Sequence, residues 1–290
     1  MIKRTTKINP TWCPGCGNFG IFGALRLALD QLNILPHQLT FVYDIGCSGN
    51  MADFSYGYGF HSLHGRALPI AAGIKLANPK LPVIAIIGDG GCFGEGLGHF
   101  ISLARGNHDI VVFSHDNYLY SLTTGQMSPT TKKGTITAST PNGSVEEAFN
   151  PLANAIINHA TFVARGFAGN ISHLSALIVA AIKHRGFSFI DILQPCVTYN
   201  KNMPYDWFRS NIYQLEQTKH DSSDKTQALQ KALETDRLPI GIFYEINKPT
   251  YHEQVLPPIP TTLAEADISH INLPYWTSWL LRPPCPGLSH

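Results

Sequence analysis

The stretch "PVIAIIGDGG" (residues 82–91) joins an apolar run to a glycine-rich turn, and it indicates the fold class. Its length and its Val and Ile content are typical of a fully buried strand. Similar runs recur at residues 39–49, 109–117 and 187–196, separated by segments with apolar residues at helical spacing. Because strand–helix–strand units with glycines at the strand ends are typical of parallel sheets, we predict an α/β fold with a doubly wound, mostly parallel sheet.

The character of the chain changes twice along its length. Residues 1–200 contain the strand–helix pattern and are predicted to form one domain; residues 201–253 are mixed and polar and are predicted to form a C-terminal arm; residues 254–290 are a Pro-rich tail. Within the first domain, residues 127–147 are polar. A loop of that length inside a compact domain is usually functional or disordered, and the sequence alone does not decide between the two.

Composition excludes several classes of partner. Hydrophobic residues make up 44% of the chain and charged residues 14%, with a net charge of +1. The balanced charge gives no case for nucleic acid or an anionic membrane. No apolar run approaches the roughly 20 residues that span a bilayer, and the basic start leads into no signal-peptide core. We therefore predict a cytoplasmic protein. The low fraction of charged residues predicts that a partner subunit covers part of its surface.

Polar side chains follow two neighbouring strands of the predicted sheet. Asp89 lies in the glycine turn, and 25 residues separate Gly90 from Asp116, which Asn117 follows at the end of the next strand. Ligands of open α/β sheets bind at the carboxyl ends of the strands. A carboxylate and an amide oxygen suit Mg²⁺ that also binds phosphate oxygens, and the glycines allow backbone N–H groups close to a diphosphate. The alternative is a plain glycine turn in which Asp89 caps a helix.

Cysteines form the second constellation. Cys13 and Cys16 in "WCPGCG" are compatible with a redox dithiol, half of a zinc site or half of an electron-carrying centre. In a cytosolic protein such cysteines bind metal more often than they pair. Cys92, inside the glycine turn, is interpreted as a small buried filler, and Cys285 in the tail is assigned no role.

Gly-Asp-Gly followed at this distance by Asn resembles the thiamine diphosphate motif of thiamine-dependent enzymes, with Asp116 in place of a first Asn. Five blocks extend the resemblance: "WCPGCG", "DIGCSGN", "FHSLHGRALPIAAGIKLANP", "NYLYSLTTGQMSPTT" and "FIDILQPCVTYN". Together they resemble the β subunit of 2-oxoacid:ferredoxin oxidoreductases, from about residue 12 to residue 253. The resemblance implies a thiamine diphosphate-binding fold.

The resemblance also implies roles for individual residues. Asp89, Asn117 and the backbone carbonyl of Leu119 would bind Mg²⁺. A 4Fe–4S cluster would be held by four cysteines: Cys13, Cys16, Cys47 and Cys196. Thiamine diphosphate would be lined by Ile45, Gly46, Cys47, Ser48, Gly88, Gly90, Gly91, Ser121 and Leu122. His64 would act beside the cofactor; the alternative is a loop histidine bonded to a backbone carbonyl.

The implied activity is the oxidative decarboxylation of a 2-oxoacid, of the pyruvate or 2-oxoglutarate type, with coenzyme A as acyl acceptor and ferredoxin as electron acceptor. Thiamine activation needs a glutamate, and no glutamate of this chain stands in a recognisable motif, so the resemblance implies an α subunit that completes the site. Asn50 is neutral where some members have a basic residue, which leaves no carboxylate-pairing group there. Two rival functions are a non-redox thiamine decarboxylase or ligase with structural zinc, and a non-catalytic scaffold.

Overall fold

An eight-stranded sheet forms the centre of the molecule in the computed structural model, which describes residues 2–255 together with Thr262, Ala264 and Glu265. The strand order is β2-β1-β3-β4-β8-β7-β10-β9, and β5 and β6 form a separate hairpin. The strands are β1 (Thr40–Tyr43), β2 (Tyr58–His61), β3 (Val83–Gly88), β4 (Val111–Asp116), β5 (Leu119–Tyr120), β6 (Gln126–Met127), β7 (Phe162–Phe167), β8 (Ser188–Leu193), β9 (Ile212–Gln214) and β10 (Leu238–Glu245).

Helices cover both faces of this sheet. One face packs against α1 and α6, and the other against α3, α4, α5 and α8, so two separate apolar cores flank the strands. The helices are α1 (Gly17–Gln31), α2 (Met51–Phe54), α3 (Ala67–Ala77), α4 (Leu97–Arg105), α5 (Pro151–Ile157), α6 (Ile171–Lys183), α7 (Tyr205–Asn211), α8 (Lys225–Ala232) and α9 (Tyr251–Val255). The predicted doubly wound α/β fold is confirmed.

The central strands β3, β4 and β8 run parallel, so their carboxyl ends meet at one edge of the sheet. β4 and β8 are covered on both faces and are buried along their whole length, including their polar residues Ser114, His115, Asp116, Ser188 and Asp191. After β3 the chain makes a π-helical turn at Gly91–Glu95 before α4 begins. This edge of the sheet contains Asp89 and Asn117.

Residues 201–253 take part in the same sheet. β10 pairs antiparallel with β7, and β9 pairs with β10, so this segment extends the sheet by two strands. The boundary at residue 200 stays a prediction. Most of the predicted tail, including Cys285, lies outside the described residues. Within the described part of the chain, no helix has the length and apolarity that a membrane crossing requires.

Candidate functional site

A cavity of about 80 Å³ opens at the carboxyl edge of β3 and β4. The structure brings together every residue predicted to contact thiamine diphosphate or Mg²⁺, and all of them line this cavity: Ile45, Gly46, Cys47, Ser48, His64, Gly88, Asp89, Gly90, Gly91, Asn117, Leu119, Ser121 and Leu122. Four residues that no sequence pattern selects line it as well: His115, Tyr120, Thr123 and Gln194. We call this the diphosphate cavity.

Asp89 is 1% exposed and is held by two hydroxyl groups. Its Oδ2 accepts hydrogen bonds from Ser128 Oγ at 2.5 Å and Thr130 Oγ1 at 2.8 Å. Burial raises the pKa of Asp89 to about 6, although both hydroxyls favour the charged form. The two hydroxyls hold the carboxylate by Oδ2, and Oδ1 is the oxygen that they do not contact.

Ser128, Thr130 and Thr131 form a hydroxyl cluster from the polar segment 127–147. Thr130 Oγ1 also lies 2.9 Å from Asp116 Oδ1, and Thr131 Oγ1 donates to the carbonyl of Tyr118 at 2.5 Å. All three cluster residues are at most 2% exposed. The start of this segment is therefore packed against the ends of β3 and β4, where it contacts the candidate metal ligands and their neighbours.

Asn117 is oriented by the chain that follows it. Its Oδ1 accepts hydrogen bonds from the backbone N–H of Leu119 at 3.1 Å and from Ser121 Oγ at 2.8 Å. Between Asn117 and Leu119, Tyr118 has a φ of 65°, a left-handed conformation that turns the chain sharply after β4. The turn brings the oxygen of Asn117 and the backbone of Leu119 to the same cavity.

Gly90 and Gly91 are needed for internal packing as well as for any ligand. A Cβ at Gly90 would lie 2.2 Å from the Tyr120 ring, and one at Gly91 would lie 2.0 Å from Asp44 Oδ2. Either side chain would force the turn away from its neighbours. Close approach to a diphosphate, the reason predicted from the sequence, is therefore only one of two constraints on these positions.

Three residues that line the diphosphate cavity each have a buried polar atom without a hydrogen-bond partner among the described residues: Ser48 Oγ, His115 Nε2, and His64 Nδ1, which Glu95 Oε2 approaches to 3.1 Å. Asn18 donates from Nδ2 to the carbonyl of Cys47, so its Oδ1 faces His115 Nδ1 at 2.8 Å and fixes the tautomer. Burial lowers the pKa of His115 to about 3, so the ring is neutral and Nε2 is an acceptor. Unsatisfied buried polar atoms fit a cavity that binds a polar ligand.

His64 lies at the same cavity beside Glu95. The Nδ1 atom of His64 is 3.1 Å from Glu95 Oε2, a contact distance without hydrogen-bond geometry. The hydroxyl of Tyr120 donates to Glu95 Oε1 at 3.1 Å. Glu95 therefore contacts two residues that line the cavity, His64 and Tyr120, and it was not predicted from the sequence.

A second cavity, of about 160 Å³, adjoins the first, and Cys13, Cys16, Cys47 and Cys196 all line it. We call it the cysteine cavity; Asn50 also lines it. Burial raises the pKa of Cys47 to about 12, and the neighbouring thiols add to this. Among the described residues, no three His, Cys, Asp or Glu side chains are arranged to hold a single metal ion.

The two cavities share part of their lining: Cys47, Ser121, Leu122 and Gln194. Cys47 alone among these was predicted to contribute to both sites. Gln194 stands two residues before Cys196 in "LQPC", and no sequence pattern distinguishes it from a strand-end residue. The hydroxyl cluster could have been noticed as "SPTT", a hydroxyl run within a polar loop.

Comparison with known proteins identifies the class of this domain. Residues 44–192 match the family model for the thiamine pyrophosphate enzyme C-terminal TPP-binding domain, and residues 196–257 match the model for the C-terminal part of the pyruvate ferredoxin oxidoreductase beta subunit. Fold, cavity and match together define a thiamine pyrophosphate-binding α/β domain.

Relatives specify the family further. The chain is 45% identical to the 2-oxoacid:ferredoxin oxidoreductase subunit beta of a Sulfolobus species over 84% of this chain and 85% of the relative. It is 41% identical to subunit beta of 2-oxoacid:ferredoxin oxidoreductase 1 of Aeropyrum pernix, over 88% and 84%. The chain belongs to the family of 2-oxoacid:ferredoxin oxidoreductase β subunits, as the sequence resemblance predicted.

A solved structure agrees with the fold over nearly the whole chain. The 2-oxoglutarate:ferredoxin oxidoreductase from Magnetococcus marinus, with 2-oxoglutarate, coenzyme A and succinyl-CoA bound, superposes with a TM-score of 0.87. The identity is 33%, and the match covers 97% of this chain and 95% of that one. These relatives favour the redox enzyme over a non-redox thiamine enzyme or a scaffold.

Proposed function

We propose that this chain binds thiamine diphosphate, Mg²⁺ and a 4Fe–4S cluster in the cytoplasm, and that with an α subunit it oxidatively decarboxylates a 2-oxoacid. Coenzyme A takes the acyl group and ferredoxin takes the electrons. The observation that supports this best is the adjacency of the two cavities, which share Cys47, Ser121, Leu122 and Gln194. A substrate oxidised in one would lie next to an electron acceptor in the other.

The chain's share in cofactor binding is orientation. Asp89 Oδ1, Asn117 Oδ1 and the Leu119 carbonyl are the oxygens that would bind Mg²⁺, a hard cation that also takes phosphate oxygens. When bound, thiamine diphosphate supplies the electron sink for decarboxylation, and a 4Fe–4S cluster supplies one-electron acceptance. Ser48 and the neutral His115 offer a hydroxyl and an acceptor to the ligand.

An iron–sulfur cluster is the proposed occupant of the cysteine cavity, rather than zinc. Four thiols surround one space of about 160 Å³, and this space shares part of its lining with the diphosphate cavity. A substrate that is oxidised beside this space needs a one-electron acceptor, which an iron–sulfur cluster supplies and zinc, which has no redox chemistry, does not.

His64 is the side chain proposed to act beside the cofactor. Glu95 lies on its Nδ1 side and Tyr120 packs near its ring, with centroids 6.1 Å apart. Both neighbours lie beside the ring where His64 lines the diphosphate cavity. The histidine would hold or transfer a proton there.

A partner subunit is needed to complete the site. Within the part of the chain that the structure describes, no glutamate lines the diphosphate cavity, so the carboxylate that thiamine activation requires would come from another chain. The edge strand β2 exposes two aromatic side chains, Tyr58 at 63% and Phe60 at 50%, and Leu63 beyond it is 77% exposed. An exposed apolar edge strand beside the cavity is a surface suited to a partner.

The test is anaerobic co-expression with the candidate α subunit, followed by 2-oxoacid-dependent reduction of a viologen dye with and without coenzyme A. We expect reduction only with the complete complex, 2-oxoacid and coenzyme A. Pyruvate and 2-oxoglutarate are compared directly, because the identity of the 2-oxoacid is open. Turnover of a 2-oxoacid by the rigorously purified chain alone would contradict the two-subunit site. A colourless protein with stoichiometric zinc would contradict the redox assignment.

A further inference from the structure

Gln194 connects the two cavities through both ends of its side-chain amide. Its Oε1 accepts a hydrogen bond from Asn117 Nδ2 at 3.2 Å, and its Nε2 donates to Cys16 Sγ at 3.4 Å. The residue is 2% exposed. One buried amide therefore links a candidate Mg²⁺ ligand to a candidate cluster ligand.

The orientation of both amides follows from a backbone donor. The N–H of Leu119 can only donate, so the atom of Asn117 that it contacts at 3.1 Å is the oxygen. The amide nitrogen of Asn117 then faces Gln194 and requires an oxygen there. Consequently the amide nitrogen of Gln194 faces Sγ of Cys16, and this nitrogen is the donor of the hydrogen bond to the sulfur.

The surrounding chain holds Gln194 in place. Its backbone N–H donates to the carbonyl of Asp116 at 2.9 Å, and the N–H of Gly17 donates to the carbonyl of Pro195 at 3.1 Å. A Cβ at Gly17 would lie 2.7 Å from Gln194 Cγ, so the start of α1 is packed directly on the glutamine side chain. This packing restricts the amide to a position beside Cys16.

We propose that Gln194 is a positioning residue that donates a hydrogen bond to the cluster-ligating sulfur of Cys16 and thereby raises the reduction potential of the cluster. The inference rests on the proposed function. A donor to a ligand sulfur stabilises the more negative, reduced cluster. A cation on Asn117 Oδ1 polarises the same chain of amides, so binding of Mg²⁺ and thiamine diphosphate raises the potential further.

The test is a potentiometric titration of the anaerobic αβ complex with dithionite as electron donor, followed by electron paramagnetic resonance. Gln194→Met removes the donor at similar size, and Gln194→Glu keeps an acceptor for Asn117 but removes the donor. We expect both to lower the potential, by about a tenfold change in the reduced-to-oxidised ratio, or about 59 mV for one electron. The shift caused by Mg²⁺ and thiamine diphosphate should shrink in Gln194→Met. Gln214→Met, the same change on β9, should leave both quantities as in the wild type.

A wild-type reduction potential in both Gln194 variants would overturn the inference. Loss of the cluster from both variants with normal thiamine diphosphate affinity would also overturn it, because Gln194 would then be needed for cluster assembly. Absence of a cluster from the wild-type complex would instead overturn the proposed function. The two failures are therefore distinguishable.

Discussion

Replacing Thr130 with valine removes one buried hydroxyl that contacts Asp89, a residue of the diphosphate cavity, and changes the shape of the side chain little. That hydroxyl lies 2.8 Å from Asp89 Oδ2 and 2.9 Å from Asp116 Oδ1, and the residue is 1% exposed. In the variant, Asp89 Oδ2 keeps the hydrogen bond from the Ser128 hydroxyl and loses the one from position 130. The pKa of Asp89 rises further, since a donor that favoured the carboxylate is gone.

The expected loss follows from the energy of such a bond. A hydrogen bond to a charged group contributes about 1.5–3 kcal/mol, and loss of a residue that orients a metal ligand costs about 10- to 100-fold in metal affinity. At about 1.4 kcal/mol per factor of ten, the two figures agree. We therefore expect Thr130→Val to weaken Mg²⁺ binding about 10- to 100-fold, and Thr130→Ser to restore most of it.

The assay is a calorimetric titration of Mg²⁺ into the full chain at saturating thiamine diphosphate. Thr161→Val is the matched control: Thr161 is fully buried, its hydroxyl bonds Asn107 Oδ1 at 2.7 Å, and it precedes β7 at the opposite edge of the sheet. Both variants should lose thermal stability, whereas only Thr130→Val should lose Mg²⁺ affinity. If Thr130→Val bound Mg²⁺ as tightly as the wild type and both variants lost the same stability, Thr130 would have no role in orienting Asp89.

Three further predictions concern two candidate ligands, Asp89 and Cys196, and one buried histidine, His184. Asp89→Asn should abolish Mg²⁺-dependent binding of thiamine diphosphate in the same calorimetric assay, and wild-type affinity would remove Asp89 from the metal site. Cys196→Ser should lose iron and acid-labile sulfide by chemical analysis while Cys92→Ala keeps both; equal iron in the two variants would contradict the ligand assignment. Burial lowers the pKa of His184, although the charge of Asp109 acts in the opposite direction. As the pH falls through about 6.5, His184 therefore takes up a proton in the unfolded chain but stays neutral in the folded protein. The free energy of unfolding measured with urea should therefore decrease as the pH falls below about 6.5, by at most about 1.4 kcal/mol per pH unit for this histidine. The decrease should be smaller in His184→Gln. Identical pH dependence in the two proteins would show that His184 does not contribute to it.

Much of the fold was predictable because burial dictates composition. β3 is covered on both faces, so Val, Ile and Ala fill it, and β4 begins with Val111, Val112 and Phe113; a glycine ends β3 and an acidic residue ends β4. The pairing and direction of β10 were not predictable. Whether a late strand pairs parallel or antiparallel with β7 depends on the path of the preceding segment, which has no periodic pattern in the sequence.

The site was predictable where its residues follow strands and unpredictable where loops supply them. Asp89 and Asn117 were identified because the carboxyl ends of neighbouring parallel strands meet. Thr130 and Gln194 contact these residues from distant positions in the chain, and no spacing rule connects them. Cys196 was assigned by resemblance, since the sequence separation from Cys16 exceeds any metal-ligand spacing.

In the proposed function, a 2-oxoacid oxidised beside Asp89 and Asn117 gives electrons to a cluster held by the four cysteines. This transfer can be observed by freeze-quenched electron paramagnetic resonance of the anaerobic αβ complex, mixed with a 2-oxoacid in the absence of ferredoxin. We predict a substrate-dependent signal from the reduced cluster that the Cys196→Ser complex lacks. The contradicting result is a wild-type complex that contains thiamine diphosphate and a dithionite-reducible cluster and decarboxylates the 2-oxoacid, yet leaves the cluster oxidised. That result would show that the two cavities do not exchange electrons.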